Sequence, residues 1–186
     1  DPASVDAIIL SHFHGDHFGG LPFLLLDGRF AKRERPLVVA GPPEVERRVR
    51  SAFEALYAGS PQVSLGFAVE YRELDATPTR VCDAAGVALP VAHTPGVAAH
   101  GLRVEIAGRT IAYSGDTAWT ESLAVLAEGA DIFICECYSY EKPIPHHLDH
   151  RTLRAQSARL HCGRVVLTHL GPEALALESV KMLGLY

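Results

Sequence analysis

Short apolar runs alternate along the chain with amphipathic stretches, and chemically active side chains gather where the apolar runs end. Val5 to Leu10 (VDAIIL) is an apolar run of strand length, closed at Ser11 by a polar segment from His12 to His17. Phe18 to Leu26 reads as helix or turn despite Gly19, Gly20 and Pro22. Leu37 to Ala40 predicts a second buried strand, closed by Gly41-Pro42-Pro43. From Glu44 to Tyr57 the apolar positions Val45, Val49, Phe53 and Leu56 keep helical spacing, and Gly59 supplies the stop. Beyond Ser60 the pattern turns to short strands: Phe67 to Leu74 alternates, and Val87 to Ala92 leads up to His93. Leu102 to Ile106 and Arg109 to Tyr113 flank Gly108, which predicts a hairpin. Helices are expected over Glu121 to Ala127 and Thr152 to Leu160, and strands over Ile132 to Cys135 and Val165 to Leu167. Alternating strands and helices, with polar residues at strand ends, describe an α/β domain whose site lies at the sheet edge.

Composition changes this picture little. The 186 residues are 48% hydrophobic and 21% charged, as in an ordinary globular domain. A formal net charge of −5 argues against a nucleic-acid-binding footprint. The basic group Arg29, Lys32, Arg33 and Arg35 reads as a solvated helix end rather than an RNA contact. No apolar stretch reaches transmembrane length, so no membrane contact is expected, and a cytoplasmic protein is expected from thiols that a reducing compartment keeps free. Cys82, Cys135, Cys137 and Cys162 form no CxxC pair and are expected as free thiols. The ten histidines are the anomaly, because they cluster.

His12-Phe13-His14-Gly15-Asp16-His17 places three imidazoles and a carboxylate within one loop directly after a strand. Such a set suits a borderline dication, and a tight loop can aim alternate side chains at one point. His12, His14, Asp16 and His17 match the HxHxDH signature of the metallo-β-lactamase superfamily, which the chain resembles. Three further pieces follow in that family's order: His93 after a strand, Asp116 in Ser114-Gly115-Asp116-Thr117, and His169 in Val166-Leu167-Thr168-His169. The resemblance implies an αββα sandwich and two divalent metal ions, zinc by the donor types, with manganese, nickel and iron also admissible. His12, His14 and His93 would hold one ion, Asp16, His17 and His169 the other, and Asp116 would bridge them. A water activated between the ions would be the nucleophile.

A second resemblance narrows the branch. His147, in His146-His147-Leu148-Asp149, stands where ribonuclease Z-like phosphodiesterases carry the histidine that protonates the leaving oxygen. It is taken over His146 and His150 on spacing. Glu136 matches the acidic residue of that branch, expected to fix the imidazole tautomer and raise its pKa. Asp16, His147 and Glu136 are thus the candidate catalytic residues. The span from His93 to Asp116 has no room for the long arm with which tRNA-processing members grip tRNA. The implied activity is hydrolysis of a small or cyclic phosphodiester. The alternatives are hydrolysis of a lactone, thioester or amide on the same site, or an inactive binding or assembly domain. A homodimer is a family tendency. Residues 1–186 are read as one domain. The family places strands before HxHxDH, so truncation at the N-terminus is expected; the last family strand is hard to find in Ala174 to Tyr186, which extends the same expectation to the C-terminus.

Overall fold

The computed structural model describes residues 2–59 and 64–176. Two sheets pack face to face with helices on their outer sides. The smaller sheet is parallel, with strand order β1 (Ala7–Ile9), β2 (Leu37–Gly41), β3 (Val69–Glu73). β2 is central and buried along its whole length. Its alternation divides two cores: Leu37 and Val39 face α2 (Leu21–Phe30) and α3 (Val45–Leu56), whereas Val38 and Ala40 face the other sheet. α3 buries Val45, Val49 and Phe53 at helical spacing and turns Glu46, Arg47 and Arg50 outward.

The larger sheet runs β4 (Thr79–Val81), β5 (Ala84–Pro90), β6 (His100–Ile106), β7 (Arg109–Tyr113), β8 (Ile132–Glu136), β9 (Val165–Thr168). It is antiparallel from β4 to β7 and parallel from β7 to β9. Its outer face is covered by α4 (Glu121–Ala127) and α5 (His150–Gln156), with Leu123, Leu126, Phe133, Cys135 and Leu153 in the core between. Val38, Ala40, Leu74, Val81, Ala88 and Leu102 fill the space between the sheets. The architecture is therefore the αββα sandwich expected. Every strand expected from pattern is present; β4, too short to alternate, was not expected.

Two readings are corrected. The segment after β1 is not all loop: Gly15–Phe18 forms a short helix, α1. Arg33 is not a solvated cation. It is 7% exposed and donates to the carbonyls of Ala3, Val5, Arg35 and Pro36, tying the segment before β1 to the turn after α2. All four cysteines are free, with Cys135 and Cys137 buried. No helix among the described residues is long and apolar enough to cross a membrane. Residues Ala174 to Ala176 close α6 (Pro172–Leu175), and the remainder of the segment searched for a last strand lies outside the described residues.

Candidate metal centre

The site is assembled at the seam between the sheets, from residues that follow the C-terminal ends of strands in both. His12 follows β1, and α1 carries Asp16 and His17. From the larger sheet come His93 after β5, Asp116 after β7, Glu136 at the end of β8 and His169 after β9. Gly115 makes one of these placements possible. It has φ +60°, and a Cβ there would lie 2.5 Å from the His100 carbonyl oxygen and 3.1 Å from Ser11 Cβ. Only glycine lets the loop turn so close to β1 and deliver Asp116 to the seam. His169 is itself left-handed at φ 52°, a conformation that costs a non-glycine residue roughly 1–2 kcal/mol.

The seven residues expected as ligands fall into two adjacent groups. His12, His14 and His93 bring one donor atom each within 4.8 Å of one another, and so do Asp16, His17, Asp116 and His169. His93 Nε2 lies 3.0 Å from His14 Nδ1. His17 Nε2 lies 3.3 Å from Asp116 Oδ1 and 3.5 Å from Asp16 Oδ2. His169 Nε2 is 3.5 Å from an oxygen of each aspartate. The groups touch, the rings of His12 and His17 lying 4.1 Å apart between centroids. A cleft of about 390 Å³ opens beside the second group, lined by Ile9, Leu10, Ser11, Asp16, His17, Tyr113, Thr168 and His169.

The electrostatics suit a dication. His12 is fully buried, and its pKa falls to about 3, first through burial and then through repulsion from His17. A neutral imidazole results, with Nδ1 held 3.1 Å from Ser11 Oγ and Nε2 buried without a hydrogen-bond partner. An unsatisfied ring nitrogen aimed into a cluster of imidazoles is costly unless something accepts its lone pair. Burial opposes ionisation of Asp116, but the adjacent His17 imidazole, 3.3 Å away, outweighs it and holds the carboxyl below its ordinary value. The same close approach raises His17, against burial. The donors are nitrogen and oxygen, a set that fits zinc and its borderline neighbours.

A third group adjoins these. Glu136 is fully buried; Oε2 lies 3.1 Å from His147 Nδ1 and 3.9 Å from His169 Nδ1. Oε1 accepts the backbone N–H of Thr117, and the backbone N–H of Glu136 donates to Ser114 Oγ at 2.8 Å. Of the three histidines in the 146–150 segment, the structure brings only the His147 ring to this centre. His146 contributes its backbone carbonyl, 3.2 Å from His93 Nδ1, and His150 is buried at the start of α5, stacked on Tyr140. The expectation that Glu136 raises the His147 pKa is corrected. Burial pushes Glu136 itself up to about 9, so it lacks the charge to do so, and burial lowers His147. Ser11, Ser114 and Thr117, which hold His12 and Glu136 in place, were not singled out in the sequence. The last two flank the Gly-Asp pair, and that adjacency was the available signal.

A family model described as the beta-lactamase superfamily domain matches residues 1–170. A ribonuclease Z of Shouchella clausii is 28% identical over 217 residues, with 90% of this chain and 70% of that protein aligned. The chain belongs to the metallo-β-lactamase superfamily, in its ribonuclease Z-like branch. An uncharacterized protein of Mycobacterium tuberculosis is 30% identical to this metallo-β-lactamase domain over 178 residues, which is 92% of the chain and 64% of that relative's length. The short form of human tRNase Z superposes with a TM-score of 0.74 at 20% identity, covering 92% of this chain and 75% of that one.

Proposed function

We propose that this domain carries the active site of a metal-dependent phosphodiesterase acting on small or cyclic phosphodiesters. The observation that carries the reading is the Glu136–His147 pair set against His93 and His169, a proton-bearing imidazole at the rim of a metal-ligand set. The His12, His14 and His93 group and the Asp16, His17 and His169 group would each hold a divalent ion, with Asp116 shared. The two ions would supply Lewis acidity, making a water nucleophilic at neutral pH and drawing charge from the phosphoryl group.

The protein's own groups do the rest. Glu136, buried, engages His147 at Nδ1, which leaves Nε2 to carry a proton to the leaving oxygen. As water adds to phosphorus and the ester P–O bond breaks, that proton neutralises the departing alkoxide. The pair holds two protons whether written as neutral acid and neutral imidazole or as carboxylate and imidazolium, so the donor is loaded in either form. Asp16, the most open of the ligand set at 63% side-chain exposure, faces the cleft where substrate would enter. Small substrates are favoured because the span from His93 to Asp116 is filled by the β6–β7 hairpin, turning at Ala107 and Gly108, with no inserted arm.

The test is metal content together with turnover by the purified protein. About two ions per chain, and hydrolysis of bis(p-nitrophenyl) phosphate and of a cyclic nucleotide, are expected. Hydrolysis of a lactone or thioester with neither phosphodiester cleaved would replace this reading by the other hydrolase chemistry. Absence of both metal and turnover would leave a binding domain.

A further inference from the structure

The chain leaving β8 passes between two loops far apart in sequence, one carrying His147 and the other His169. Tyr138 is tied to both. Its N–H donates to the Leu148 carbonyl at 2.9 Å, and its carbonyl accepts the Gly171 N–H at 2.8 Å. Its ring lies against both imidazoles, 5.0 Å from His147 at 32° and 5.7 Å from His169 at 43° between centroids and planes. The two imidazoles stack on each other at 5.5 Å and 19°. Gly171 permits this approach, since a Cβ there would lie 2.6 Å from the Tyr138 carbonyl oxygen and 3.2 Å from its ring.

The hydrogen bond from Glu136 holds His147 at one atom, Nδ1. A single bond fixes a distance but leaves the imidazole plane free to swing about it, so the neighbouring rings set the plane: His93 at 5.2 Å and 76°, His169 at 5.5 Å and 19°, and Tyr138, the nearest, at 5.0 Å and 32°. An aromatic face in contact with the ring removes that freedom, because offset and tilted ring pairs have preferred geometries. We infer that Tyr138 is a positioning residue whose ring sets the planes of His147 and His169, and so the direction in which His147 Nε2 delivers its proton. The inference rests on the reading of His147 as the proton donor. It assigns the work to the ring face and none to the phenol oxygen.

The experiment compares Tyr138→Leu, Tyr138→Phe and His147→Ala with the wild type, all at matched metal content. Tyr138→Met replaces the leucine variant if that one does not fold. Each is assayed on bis(p-nitrophenyl) phosphate, whose leaving phenolate needs no proton, and on a cyclic nucleotide, whose alkoxide does. Misplacement of a catalytic group by an ångström costs up to 10²-fold in rate. Tyr138→Leu should therefore lose about tenfold or more in kcat on the cyclic nucleotide beyond any loss on the nitrophenyl ester, with KM little changed. Tyr138→Phe should keep the wild-type ratio of the two rates. Chelator competition should show weaker metal retention in Tyr138→Leu, by about tenfold, because His169 is released from its plane. Equal losses on both substrates, or a Tyr138→Phe variant as impaired as Tyr138→Leu, would overturn the inference. If His147→Ala shows the leaving-group dependence and Tyr138→Leu does not, the positioning role alone fails. If His147→Ala lacks it, the proton-donor reading falls and takes the positioning role with it.

Discussion

On the proposed reading Asp116 would be shared by the two ligand groups, and Asp116→Asn tests that most directly. The residue is buried, with Oδ1 3.3 Å from His17 and Oδ2 3.5 Å from His169, while its charge also acts on His12 and His93. Asparagine keeps the shape and one acceptor but removes the charge and turns one donor oxygen into an N–H donor. Loss of an outer partner to a metal ligand typically costs 10–100-fold in affinity. A carboxylate in the ligand set itself should cost at least the upper figure, about 100-fold, or roughly 2.7 kcal/mol. If both groups share it, both ions should be weakened. Asp16→Asn, by contrast, touches only the group of His17 and His169, and should weaken one ion. The assay is metal stoichiometry by mass spectrometry after dialysis against graded chelator. Two ions retained by Asp116→Asn at wild-type affinity, or a loss indistinguishable from that of Asp16→Asn, would refute the shared role.

His147→Ala should lose about 10²–10⁴-fold on a cyclic nucleotide and far less on a nitrophenyl ester, as steady-state rates on the two would show. Glu136 makes a prediction for the metal-free protein. With its pKa raised by burial to about 9 from 4.5, its contribution to stability is fully present below pH 4.5 and is lost as pH rises towards 9. Glu136→Gln should flatten urea-denaturation stability between pH 5 and pH 8 in chelator, by an amount on the order of 1–3 kcal/mol; an unchanged slope would contradict a neutral buried acid. Arg33→Met should leave metal content intact while costing on the order of 3 kcal/mol in the same denaturation assay, because four backbone carbonyls lose the charged donor that ties them together.

The site was legible wherever its donors are contiguous. His12, His14, Asp16 and His17 are spelled out in six residues, and a metal is the plain chemical reason for such a run. His93, Asp116 and His169 are single residues at strand ends, with no local signature of a ligand; only their order in a family pattern marked them. Their neighbours were harder still. Family spacing picks His147 from His146, His147 and His150, and its ring does face the centre; the physical cause, the backbone between Ile144 and α5 where His146 turns left-handed, has no signature in the sequence. The pKa of His147 is not legible either: in sequence Glu136 reads as a charge beside it, and burial, which raises Glu136 and lowers His147, appears only in the fold. In the fold, hydrophobic alternation marked the long strands and α3. It missed β4, three residues long, and it misread Arg33, whose partners are backbone carbonyls that composition does not register.

The seam between the sheets has a mechanical consequence. His12, His14, Asp16 and His17 belong to the three-stranded half, and His93, Asp116 and His169 to the six-stranded half. Each half alone offers an incomplete coordination shell, and an ion held by both is a clasp across the interface. Whatever free energy such an ion gains by binding the closed pair over the separated halves is, by linkage, added to the adhesion between them. Metal loading and the rigidity of the sandwich would then be one variable, so that stripping bound metal should loosen the contact between Val38, Ala40, Ala88 and Leu102.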